Sequence, residues 1–439
     1  MLIICVFVGV LIAIFALPRG NDQGSSKPQK PVSEQKEEPP IVKESTFTVS
    51  ATGDILMHSP LLRSGSTGGG YDFSPMFKYF NEYVEKADLA VANLETTLAS
   101  SDRGYSYSGY PCFNCPDAIV DALKGAGFDM LLTANNHSYD TRGTGLHRTV
   151  EVVREKGLFN LGSKATEEEA DYRIVNKNGI SLGLLCYTYE NNESIDVKAP
   201  NGITMNSKDA PFLKTFDYAN LESFYQEISQ NLALMKNEGA DASILFIHWG
   251  EEYDIKENTV QNEMAQRLCD LGIDVIIGGH PHVVQPVELL ESSVDANHKT
   301  VCLYSMGNAV SNQRRQRMNL NTGHTEDGVL FGVRFARYSD GTVILEGVEL
   351  LPTWVHMFTS SSGNKNYRIL PLEEGENWQE RFDLSDSNFN HAKDSYERTM
   401  KIVGEGMAEV ETWVKDNINH TEKKLGIIEE TVANEKEAS

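Results

Sequence analysis

The sequence predicts an α/β protein, and three observations carry the prediction. Strand-like apolar runs alternate with helical repeats across most of the chain. The runs end in polar clusters rather than in plain turns. The last cluster, Gly278-Gly279-His280-Pro281-His282, places two imidazoles directly after the apolar run Ile273-Asp274-Val275-Ile276-Ile277. Alternation of this kind implies layered packing with a largely parallel sheet, whose ligand site lies beyond the carboxyl ends of the strands.

The elements follow in order. Residues 46–52 read as a strand ending at Gly53-Asp54. Residues 74–86 read as a helix, with Met76, Phe77, Phe80 and Val84 at helical spacing and Ser74-Pro75 as cap and first turn. A strand at 88–92 leads to Asn93-Leu94-Glu95, a helix covers 116–125, and a strand at 129–133 leads to Asn135-Asn136-His137. Helix 143–156, strand 180–187 and helix 218–239 come next. Strand 243–247 runs into His248-Trp249-Gly250-Glu251, and helix 260–271 precedes the strand at 273–277. The glycines after it are expected to make a sharp turn. Strand 300–304 ends at Ser305-Met306-Gly307-Asn308, and 329–336 with 343–350 form an antiparallel pair around Asp340-Gly341.

With 439 residues, 40% of them hydrophobic, the chain can bury a sizeable core. Its net charge of −24, from 63 acidic and 39 basic residues, excludes a nucleic-acid partner, because phosphate binding needs a basic face. Among the six cysteines, Cys186, Cys269 and Cys302 read as small buried hydrophobes, and Cys5 lies in an N-terminal apolar run. Cys112-Phe113-Asn114-Cys115 leaves two weak readings, half of a zinc site or a loop disulfide.

Residues 2–17 are almost unbrokenly apolar, and as a helix they would span roughly 24 Å. Residues 1–18 are therefore expected to be a transmembrane anchor or an uncleaved signal, and the polar segment 19–45 a disordered linker. The layout places the protein at the cell membrane, single-pass, with its folded domain, 46–355, outside the cell. Beyond His356 the chain turns acidic, and 356–439 is expected to be a helical extension with a solvated, charged face. Arg314-Arg315-Gln316-Arg317 is a local basic patch, read first as a solvated loop.

Five polar clusters fall at successive strand ends: Asp54 with His58, Glu95, Asn136 with His137, His248, and His280 with His282. Singly, each has a structural explanation as a turn former or cap. Together they form a nitrogen and oxygen ligand set suited to Mn, Fe or Zn. Eight such side chains exceed one tetrahedral ion and suit two divalent metals about 4 Å apart. A His outside the coordination shell would then serve as general acid.

The ordered series Gly53-Asp54, Asn93-Leu94-Glu95, Asn135-Asn136-His137 with Asp140 and Gly143, His248-Trp249-Gly250 with Glu252-Tyr253, Gly279-His280-Pro281-His282 with Gln285-Pro286, and Tyr304-Ser305 with Gly307-Asn308 resembles the CapA family. This is the bacterial capsule and poly-γ-glutamate synthesis accessory family, within the calcineurin-like metallophosphoesterase superfamily. The resemblance implies a four-layer α/β/β/α sandwich with a dinuclear site at the strand ends. It implies Asp54, Glu95, Asn136, His248, His280 and His282 as metal ligands, with Glu95 bridging, His137 as the acid or phosphate-orienting residue, and Asp140 holding His137. The superfamily's first motif is Asp-x-His, whereas Leu56 stands in the third place here. Either His58 takes that ligand role or one metal binds weakly. Two functions follow: a metal-dependent hydrolase of a phosphoester or polymer bond, or a non-catalytic, metal-binding accessory subunit. In either case polymer synthase subunits and an anionic polymer are the implied partners.

Overall fold

Alternation along the first strand sets the architecture. In β1 (Lys43–Ile55) Phe47, Val49 and Ala51 turn to one face and Thr48, Ser50 and Thr52 to the other. In the computed structural model, which describes residues 39–190, 198–318, 322–361 and 363–428, that inward face packs on a second sheet.

The first sheet collects β1, β2 (Leu89–Leu94), β3 (Met130–Leu132) and β4 (Phe159–Leu161), all parallel. The chain then crosses to the second sheet. This contains β5 (Tyr172–Lys177), β6 (Ile180–Tyr189), β7 (Thr215–Phe216), β8 (Ala242–His248), β9 (Val275–Gly279), β10 (Val287–Glu291) and β11 (Lys299–Leu303), in the order β10-β11-β9-β8-β6-β5 with β7 beside β6. It returns through β12 (Asn308–Val310), β13 (Asp327–Tyr338), β14 (Val343–Thr359) and β15 (Lys365–Pro371), giving the first sheet the order β15-β14-β13-β1-β2-β3-β4 with β12 beside β1. Both sheets are mixed rather than largely parallel. The expected β13–β14 hairpin is present, and β10 and β15 add antiparallel strands.

Between the sheets lie Phe47, Val49, Leu182, Leu184, Ile244, Phe246 and Val301. The helices are α1 (Ser59–Gly65), α2 (Asn81–Val84), α3 (Ala118–Gly125), α4 (Arg142–Glu155), α5 (Leu221–Asn237), α6 (Thr259–Leu271), α7 (Trp378–Arg381) and α8 (Asp386–Lys424). On the outer face of the first sheet, Ile119 and Leu123 of α3 and Val152 and Val153 of α4 pack on Ala90, Ala92 and Leu131. On the second, Phe224 and Ile228 of α5 and Met264 and Leu268 of α6 cover Leu185, Leu245 and Ile276. The expected helix at 74–86 is instead a 3-10 turn, Ser74–Met76, followed by the four-residue α2. Helix α6 begins with a reciprocal capping box between Asn258 and Gln261 and stops at Gly272, whose left-handed φ of 95° glycine adopts without strain.

The C-terminal region is part of this fold. The expected boundary near 355 falls inside β14, and β15 extends the sheet to Pro371. Helix α8 is amphipathic: Val403, Met407, Val410 and Val414 join the inter-sheet core beside Val287 and Leu289 of β10. A Cβ on Gly406 would stand 1.7 Å from the Val287 carbonyl oxygen, so glycine there permits the close approach. The basic patch is also internal. Arg314 is 5% exposed and pairs with Glu326 at 2.9 Å, as does Arg315 at 3.2 Å, whereas Arg317 is exposed.

The expected membrane placement is corrected. Among the described residues no helix is long and apolar enough to cross a membrane, which takes about 20 consecutive apolar residues. The longest, α8, is interrupted by charged residues throughout. The apolar run at 2–17 and most of the linker at 19–45 lie outside the described residues. Cys112 and Cys115 are free thiols, which sets aside the loop disulfide. Cys115 is buried against α3, and both backbones serve the loop, Cys112 through its carbonyl to Ser108 and Cys115 through its N–H to Thr97.

Candidate metal centre

Four strand ends and one loop build the site. Asp54 sits near the end of β1, where Gly53 lets the strand pass the 307 backbone: a Cβ at 53 would lie 1.9 Å from the Gly307 carbonyl oxygen. Glu95 follows β2, Asn136 and His137 follow β3, and His248 ends β8. Gly278 and Gly279 remain within β9. The turn is made by the histidines themselves, with φ of 97° at His280 and 57° at His282. Such left-handed backbone in non-glycine residues stores strain and clusters at functional sites.

Asp54, Glu95 and His248 are buried, and one donor atom from each lies within 4.8 Å of the others. Around them, His282 Nδ1 meets Asp54 Oδ2 at 3.0 Å, and its Nε2 lies 3.8 Å from Glu95 Oε1. His248 Nε2 meets Asn136 Oδ1 at 3.0 Å and lies 3.6 Å from Glu95 Oε1. The His280 ring is 4.9 Å from that of His248 and 6.0 Å from that of His282. Six of the seven expected ligands therefore converge. His58 stands apart. Its ring packs edge-on to Phe113 at 5.2 Å, and its Nδ1 lies 3.1 Å from the Leu56 carbonyl oxygen and 3.3 Å from the Asn312 nitrogen. Only its Nε2 is left for a ligand. His137 packs on Phe113 at 4.7 Å, and its Nδ1 meets Asp140 Oδ2 at 2.8 Å.

One amide organises the carboxylates. Asn93 Nδ2 donates to Asp54 Oδ1 at 2.7 Å and to Glu95 Oε2 at 3.3 Å, while its Oδ1 accepts from Asn135 Nδ2 at 3.0 Å. Burial pushes Glu95 well above the ordinary carboxyl range, and the Asp54 charge adds to the shift. Burial acts the same way on Asp54, but the hydrogen bond and charge of His282 outweigh it, so that its pKa falls. Burial lowers His248 to about 3, takes His280 well below its ordinary value, and lowers His58 to about 4. These imidazoles are neutral near pH 7, the form that ligates.

The donor set fits a divalent cation. Glu95 Oε1 and His280 Nδ1 are buried with no hydrogen-bond partner. Among the described residues neither Asp54 nor Glu95 pairs with an Arg or Lys. Asp54 has only His282 to offset its charge and Glu95 has no such partner, so that burial disfavours its ionised form; a divalent cation at the triad would restore it.

A profile of known families matches residues 48–313, more than half of the chain, and its description is bacterial capsule synthesis protein PGA_cap. The chain belongs to the PGA_cap family. It is 27% identical over 357 residues to the capsule biosynthesis protein CapA of Bacillus anthracis, covering 79% of this chain and 78% of that one. It is 26% identical over 283 residues to the PGA biosynthesis protein CapA of Bacillus subtilis (63% and 67%). A probable polyglutamine synthesis accessory protein of Mycobacterium tuberculosis is 24% identical over 206 residues (46% and 52%). In this PGA_cap chain every strand-end cluster lies inside the matched span.

Two residues of the quoted motifs play parts in the site that their sequence positions do not reveal. Asn93 is one. Gln285 is another: its side-chain amide donates to the carbonyls of Asp254 and Lys256 at 2.8 and 3.0 Å, pinning the loop after β8. Within that loop the Tyr253 N–H binds the Pro281 carbonyl at 2.8 Å, tying it to the His280–His282 turn. Their motif positions were visible; their roles are set by partners distant in sequence.

Proposed function

We propose that this PGA_cap protein is a metal-dependent hydrolase of the calcineurin-like metallophosphoesterase type in capsule or poly-γ-glutamate biosynthesis, cleaving a phosphoester or a bond of the polymer. The observation that carries the reading is the convergence of Asp54, Glu95 and His248 around an unpartnered Glu95 Oε1. Two facing sheets with helices outside both agree with that superfamily's four layers. Asp54, Glu95, Asn136, His248, His280 and His282 would hold two divalent ions of Mn, Fe or Zn, whereas His58, which stands apart, has only Nε2 to offer. When bound, the ions supply Lewis acidity to an oxygen of the scissile group and to the attacking water. His137, with Nδ1 on Asp140, keeps Nε2 to pass a proton to the leaving group. An anionic polymer and its synthase subunits are the proposed partners.

A second reading, a metal-binding accessory subunit without turnover, is favoured by one observation. The His expected two places after Asp54 is Leu56, and His58 turns its Nδ1 to backbone. The test is bound metal by elemental analysis, then hydrolysis of a phosphodiester with Mn. Turnover that disappears in Asn136→Ala and His137→Ala, with circular dichroism unchanged, supports the hydrolase. Bound metal without turnover in the parent supports the accessory subunit. A chain that takes up no divalent metal sinks both.

A further inference from the structure

A residue far from every motif reaches the His137–Asp140 pair. Asn201 lies on the segment between β6 and β7, in a left-handed conformation with φ of 51°, which asparagine tolerates better than most side chains. Its Nδ2 lies 3.0 Å from Asp140 Oδ1, 3.2 Å from the Pro111 carbonyl oxygen and 3.3 Å from His137 Nδ1. The first two atoms can only accept, which fixes the orientation of the amide and spends both of its hydrogens. Asp140 Oδ2 meanwhile accepts from the Phe113 N–H at 2.5 Å and from His137 Nδ1 at 2.8 Å. Three donors around one carboxylate fix its orientation.

The segment that carries Asn201 is itself tied down. Lys198 Nζ donates to the carbonyls of Ala210 and Leu213, each at 3.0 Å, closing residues 198–213 into a loop. At its other end Asp209 accepts from the Tyr139 hydroxyl at 2.6 Å and faces His147 Nε2 at 3.2 Å. The Asp209 carboxylate also covers the first turn of α4, where a Cβ on Gly143 would lie 2.4 Å from Oδ2. This loop is therefore fastened to the residues on either side of Asp140, and Asn201 has a fixed base from which to hold it.

We propose that Asn201 is a positioning residue of the site: it fixes Asp140, and through it the orientation of the His137 ring, whose Nδ1 donates to Asp140. The kinetic arm of its test rests on the hydrolase reading; the spectroscopic arm does not. In the full-length protein, nitrogen-15 NMR of the His137 ring should show one set of ring signals, with a proton held on Nδ1. Asn201→Ala should give averaged ring signals and lower kcat for a phosphodiester by roughly 10–100-fold, the usual cost of removing an outer partner. KM and bound Mn should stay within twofold, and Asn201→Asp, which offers no donor, should not restore the rate. Changed ring signals in a protein that never turns over would leave this inference standing and remove the hydrolase. Ring signals identical in parent and Asn201→Ala would overturn it, as would equal loss of kcat and bound Mn, the mark of a merely structural residue.

Discussion

Two buried acidic clusters of this fold differ in how their charge is balanced. At the strand ends, Asp54 and Glu95 share one Asn93 amide, and no guanidinium or ammonium reaches them among the described residues. Where α8 meets β13, Asp327 takes both arms of Arg398 at 2.7 and 2.9 Å and the Ser395 hydroxyl at 2.6 Å. Beside it Glu326 holds Arg314 and Arg315. Burial raises Glu326, and the two arginines more than offset it, leaving its pKa lowered. The second cluster is complete within the chain and fastens the C-terminal helix. The first has no guanidinium or ammonium among the described residues, and its donor set is one that a cation would complete. A buried carboxylate is thus read as structural or as ligating by its counter-charge, not by its burial.

That contrast can be broken from either side. The largest effect is expected at the incomplete cluster. Glu95→Gln should remove the anionic bridge and cut Mn affinity by 100-fold or more, on the order of 3 kcal/mol, measured by titration calorimetry. Mn at a hundredfold excess over the parent's Kd should stabilise the parent by about 2.7 kcal/mol and Glu95→Gln by about 0.4 kcal/mol or less in urea melts. Unaltered Mn affinity would show that the carboxylates need no ion. At the complete cluster, Arg398→Met strands Asp327 and should cost about 3 kcal/mol with metal binding intact. Gly406→Ala pushes α8 off β10 and should cost roughly 1–3 kcal/mol, again with no effect on metal. Equal stability of this variant would mean that the helix docks more loosely than its 1.7 Å approach requires.

A last effect concerns pH. His356 stacks on Trp354 at 5.0 Å and accepts from Arg368 Nε at 3.0 Å, and burial lowers its pKa to about 3. The unfolded chain, with an ordinary value near 6.5, binds the proton first. Stability from this residue is therefore full above about pH 6.5 and falls as pH drops toward 3. His356→Phe, which keeps the stacking, should lose less stability between pH 7 and pH 4 than the parent. Parallel curves for the two proteins would show that His356 does not titrate on unfolding.

Much of this was legible in the chain. Periodicity placed α3, α4, α5 and α6 within a few residues, because each has one apolar stripe. The strand-end motifs point to Asp54, His58, Glu95, Asn136, His248, His280 and His282, of which all but His58 lie together, because a residue just past a buried strand has a fixed address. The short strands β4, β7 and β12 have too few residues to carry a period, and the longer β5, β10 and β15 are absent from the sequence reading as well. The C-terminal helix was legible as a helix, but not its docking, because an amphipathic stripe does not say which surface it meets.

The sequence by itself determined the local facts: which segments are strands and helices, which polar residues stand at their ends, and which family the motifs resemble. Only the tertiary structure decided the distances. It brought Asp54 within 3.0 Å of His282, 228 positions away, and set Asn93 between two carboxylates. It gave Arg314 to Glu326 rather than to solvent, and carried Asn201 to Asp140. The reason is physical: backbone preferences act over a few residues, whereas charge and hydrogen-bond balance in a buried site is settled among groups that only the folded core brings together.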